Sequence, residues 1–102
     1  RNVTGVQTCA LPISAGDEYK LTIRDHRFEP AELRLPSGVK IKLIVENLDP
    51  TPEEFESHAL NREKVIPAKS RATLFLGPLS RGRYDFIGEF NPKTATGQLI
   101  VE

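Results

Sequence analysis

An all-β fold, either an antiparallel sandwich or a small barrel, is what this sequence of 102 residues predicts. Three observations predict it. Apolar and polar residues alternate with a period of two in one short segment after another. Proline, glycine, asparagine and aspartate punctuate the chain every several positions. No stretch carries the repeat of a long helix. Together these give about seven or eight strands of roughly three to eight residues, the spacing of a sandwich or barrel.

The elements follow in order. Residues 1–17 are weakly patterned and form an N-terminal segment; Thr8-Cys9-Ala10-Leu11 fits a short edge strand. The domain proper is expected over 18–102. Tyr19, Leu21 and Ile23 alternate with Lys20, Thr22 and Arg24, as in a half-buried strand. Asp25 to Glu29 turns the chain, with Phe28 and Pro30 capping the core. Leu33 and Leu35 share a face, and Pro36-Ser37-Gly38 makes a turn. Ile41, Leu43 and Val45 mark the clearest central strand. Asn47 to Pro52 is a loop, because two closely spaced prolines exclude a paired strand. Phe55 re-enters a strand, and His58 to Glu63 is a turn or a single helical turn. Lys64-Val65-Ile66 is a short strand ended by Pro67. Ala72, Leu74 and Leu76 share one face of the next, and residues 77–82 form a loop. Tyr84 and Phe86 face one way and Asp85 and Ile87 the other; a loop with Gly88, Asn91, Pro92 and Gly97 leads to the final apolar strand.

Composition narrows the function. Lysine and arginine total 14, aspartate and glutamate 14, and the formal net charge is zero. Nucleic-acid binding needs a basic excess to meet the phosphates, so no nucleic-acid partner is expected. The single cysteine, Cys9, excludes an intrachain disulfide framework. No apolar run approaches the length of a membrane-spanning helix. A Gly-rich phosphate cradle, a His-Glu-x-x-His pair and a Gly-x-Ser-x-Gly elbow are all missing, so no enzyme is expected. The chain opens on Arg1 rather than Met, and the expectation is that a signal peptide has been removed.

Two stretches leave a strand, turn at a proline and display carboxylates: residues 45–58 and residues 84–101. Loops held at the end of a sandwich are where such folds keep function. If the two loops meet, Glu53, Glu54 and Glu56 converge with Glu89. Glu54 and Glu56 share a strand face, while Glu53 points with Phe55. Carboxylates with an imidazole suit iron, manganese, zinc or Cu(II), and His58 stands ready to complete such a mixed site. The competing reading is a solvated acidic rim that prevents edge pairing, with His58 an ordinary surface residue. His26 beside Asp25 offers an Asp–His hydrogen bond without a visible nucleophile or cleft. Lys69, Arg71, Arg81 and Arg83 read either as a docking patch for an acidic partner or as the solvent faces of strands. Asn47 reads as structural, its side chain holding backbone groups of the loop.

The run Phe28-Glu29-Pro30-Ala31-Glu32-Leu33-Arg34-Leu35-Pro36-Ser37-Gly38, then Asn47-Leu48-Asp49, then Gly82-Arg83-Tyr84-Asp85-Phe86 with Gly97-Gln98-Leu99-Ile100-Val101, resembles a cupredoxin domain over roughly residues 18–102. The resemblance implies a Greek-key β-sandwich. Glu54-Phe55-Glu56-Ser57 and Gly88-Glu89-Phe90-Asn91 look most like segments of the cupredoxin modules of bacterial periplasmic iron-uptake lipoproteins. That likeness implies a periplasmic or secreted protein, a bound copper or iron ion, and a periplasmic or membrane-bound metal-uptake partner. In those modules similarly placed carboxylates are proposed metal ligands, which points to Glu56 and Glu89. A cysteine near the start of the domain is suspected of ligation there, which points to Cys9; a buried, inert thiol is the alternative.

Where blue-copper relatives carry two His, one Cys and an axial Met, the resemblance places Glu53, Gly88, Asn91 and Ala95. None of these residue types suits that centre, so a blue-copper site is excluded and an ion would sit at a different, carboxylate-rich site. The reading is therefore a metal-binding accessory module. Its alternative is a metal-free structural or protein-interaction module with a decayed copper site.

Overall fold

A computed structural model describes residues 17–102. It contains nine strands: β1 Asp17–Arg24, β2 Arg27–Glu29, β3 Glu32–Leu35, β4 Ile41–Asn47, β5 Glu53–Ser57, β6 Arg62–Ile66, β7 Arg71–Leu76, β8 Gly82–Gly88 and β9 Thr96–Val101. They form two sheets, ordered β2-β1-β4-β7 and β3-β9-β8-β5-β6, packed as a Greek-key sandwich. Within each sheet one pair is parallel, β1 with β4 and β3 with β9, and the other pairs are antiparallel.

The expected fold class holds, with one strand more than expected. The extra strand is β2, read from sequence as turn. Asp25 and His26 both adopt left-handed backbone, φ 53° and 60°, which closes a two-residue hairpin and sends Arg27–Glu29 back along β1. The 58–63 segment is a turn rather than a helical one: the Asn61 amide donates to the His58 carbonyl at 3.1 Å, and β6 begins at Arg62. The strand expected at Thr8–Leu11 lies outside the described residues.

Alternation puts the apolar residues between the sheets. Along β4 every second residue is buried, from Ile41 through Leu43 and Val45 to Asn47. Phe28, Phe55 and Phe86 meet at the centre: Phe28 stands edge-on to Phe86 with centroids 4.9 Å apart, and Phe55 stacks on Phe86 at 5.1 Å. Such aromatic pairs add to the burial term, since ring edges are positive and faces negative. At one end of the sandwich the 25–26 turn is tied to Asp49 of the 48–52 loop and to Thr94 of the 89–95 loop.

Candidate functional site

The site is built on β5 and the end of β8. Along β5, Glu53, Phe55 and Ser57 are buried while Glu54 and Glu56 face outward. The pleat therefore separates the expected acidic set into two places.

Glu53 points inward and is 2% exposed. One carboxylate oxygen accepts from the Glu54 and Phe90 amides, each at 2.9 Å. The other accepts from the Asn91 side-chain amide at 2.7 Å. A buried carboxylate is tolerated only when donors replace its water, and these three do so. Gly88 lies against it. A Cβ at Gly88 would stand 2.6 Å from the Glu53 carboxyl carbon and 2.7 Å from the Ala95 Cβ. No side chain fits at Gly88 while Glu53 holds its place. The four positions implied as a copper centre are thus linked by the chain's own contacts: Glu53 bridges to the 89–95 loop through Asn91, and Gly88 and Ala95 close around it.

A second carboxylate knits the neighbouring loops. Asp49, 7% exposed, accepts from the Asp25 and His26 amides at 2.8 and 2.9 Å. Asn47 fixes Asp49 in turn, its side-chain oxygen accepting from the Asp49 amide at 2.9 Å while its NH2 donates to the Thr51 and Ile66 carbonyls. Asn47 is structural, as expected. His26 Nδ1 lies 3.6 Å from the Asp49 carboxylate, so its partner is Asp49 rather than the adjacent Asp25. The Thr94 hydroxyl donates to the His26 carbonyl at 2.6 Å and ties the 89–95 loop to the hairpin turn. Sequence reading missed the roles of Glu53 and Asp49, most of whose donors come from distant loops.

The outward set lies on the other side of the five-stranded sheet. Glu56, its side chain 14% exposed, meets Glu89, and Glu63 stands opposite it across the β5–β6 ladder. The hydrogen bond with Glu89, then burial, then the charges of Glu89 and Glu63 push the Glu56 carboxyl above the usual glutamate range; His58 opposes this. His58 is 95% exposed, its Nε2 3.7 Å from a Glu56 oxygen. The expected meeting of Glu56 and Glu89 is therefore present, with His58 at its rim. Glu54 shares that face, and its carbonyl accepts from the Glu89 amide at 2.8 Å. Glu53 does not join them, because strand alternation turns it into the core. Among the described residues no group of three or more His, Cys, Asp or Glu is arranged to hold a metal ion. Cys9 lies outside the described residues. Of the expected basic set, Arg71 and Arg83 lie apart: Arg71 pairs with Glu46 on the outer face of the four-stranded sheet at 3.6 Å, and Arg83 donates to Gln98 on the other sheet at 3.0 Å.

Comparison with known proteins bears on the family and the fold. A family model described as a cupredoxin-like domain matches residues 5–101. An uncharacterized protein of Rickettsia prowazekii (strain Madrid E) is 45% identical over 84 residues, spanning 82% of this chain and 67% of that protein. The metal-binding domain of the Cu(I)-exporting P-type ATPase CopA of Streptococcus pneumoniae D39, solved with Cu(I), superposes with a TM-score of 0.76 at 16% identity, covering 89% of this chain and 91% of that one. A copper-binding protein solved in its apo form gives 0.77 at 17% identity, covering 90% and 93%. A purple cupredoxin from Nitrosopumilus maritimus gives 0.63 at 17% identity, covering 81% and 98%. At these identities the solved structures speak to the fold alone.

Proposed function

The chain belongs to the cupredoxin-like domain family, and we propose that it is a non-enzymatic member whose copper-binding end has become a structural joint and which works by contact with a partner protein. One observation carries this reading: Glu53 is buried at the implied ligand position with both oxygens already accepting hydrogen bonds. A copper ion there would have to displace three donors and would gain one hard carboxylate, with no imidazole or thiolate at Gly88, Asn91 or Ala95. The partner class follows from the family likeness: a periplasmic or membrane-bound protein of metal uptake or trafficking, with the module itself periplasmic or secreted. Cell fractionation and affinity capture from the native host check location and partner.

A second reading has its own observation. Glu56 and Glu89 meet on the outer sheet face, beside Glu63 and His58. Oxygen donors so placed offer the beginnings of a copper or iron site of the carboxylate kind, which a further donor would complete. Titration of the metal-stripped protein with Cu(II), Fe(III), Zn(II) and Mn(II) at neutral pH separates the readings. The first predicts no tight binding. Micromolar or tighter binding lost in E56Q/E89Q would favour the second.

A further inference from the structure

We draw no further inference here: the strongest candidate, the carboxylate cluster of Glu54, Glu56, Glu63 and Glu89 on the outer face of β5, β6 and the turn after β8, belongs to the site already described, and nothing in the structure shows what covers it.

Discussion

At the scale of single residues, Glu53 holds an unusual place, since a glutamate is seldom fully buried unless its polar atoms are paired. Glu53→Gln keeps the shape but turns an amide NH2 toward groups that themselves donate. We expect it to lower stability by about 1–3 kcal/mol, the usual cost of leaving a buried donor without its acceptor, read as a lower urea midpoint. An unchanged midpoint would remove Glu53 from the account. Gly88→Ala is expected to destabilise through its clash with Glu53 and Ala95. Glu53→Ala/Gly88→Ala together should cost less than the sum of the single changes, because the first removes what the second strikes. Additive losses would show that the two positions do not share one space. The pH dependence separates two other glutamates. Glu56 titrates above the usual range in the fold, chiefly through Glu89. Its contribution is fully present below the ordinary glutamate pKa and is lost as pH rises through the raised value. Glu46 is held below the usual range, first by the Lys20 hydrogen bond and then by the charges of Lys20 and Arg71 against the opposing effect of burial. Its contribution is present above the ordinary pKa and is lost on acidification. Glu56→Gln should therefore flatten the decline in urea midpoint between mildly acid and neutral pH, and Glu46→Gln should not. Parallel profiles for the wild type and Glu56→Gln would contradict this. The inward direction of Glu53 was legible from its alternation with Phe55. Its role was not, because its donors at Phe90 and Asn91 lie 37 and 38 positions along the chain.

At the scale of elements, the β1–β2 hairpin is the part that the sequence hid. Type I′ turns usually announce themselves with Asn-Gly or Asp-Gly. Here Asp25-His26 fills the turn, and β2 offers only Phe28 as a buried residue. The conformation is held from outside by the Asp49 carboxylate. Replacing His26 by Gly should stabilise the fold by roughly 1 kcal/mol, since a left-handed L-residue carries about that cost. Asp49→Ala should do the opposite by about 1–3 kcal/mol, leaving two amides without their acceptor. Thermal or urea unfolding reads both changes, and a destabilising His26→Gly would mean that the imidazole contact with Asp49 outweighs backbone relief. The longer strands were legible because each shows a clean inner face: Ile41, Leu43 and Val45 in β4, and Leu74 and Leu76 in β7, all buried as expected.

At the scale of the whole molecule, a two-sheet sandwich with an aromatic centre supports an end cap made of loops. Within that cap Glu53 and Asp49 each bind loops that the strands alone would leave apart. The order of motifs along the chain made the family resemblance legible, and the match over residues 5–101 agrees with it. The pleat of β5 parts Glu53 from Glu54 and Glu56, as the alternation foretold; what the sequence could not tell was which donors hold Glu53 in place. The central claim is that the end of the sandwich implied as a copper site is closed by the Glu53 joint. The most direct measurement is titration of the metal-stripped protein with Cu(I) and Cu(II) at neutral pH, followed by NMR of the Asn91 side-chain amide and the Phe90 backbone amide. The account predicts that both signals stay in place at every copper concentration, even if ions gather at Glu56 and Glu89. One-to-one copper binding that shifts both signals and is abolished by Glu53→Gln would contradict it.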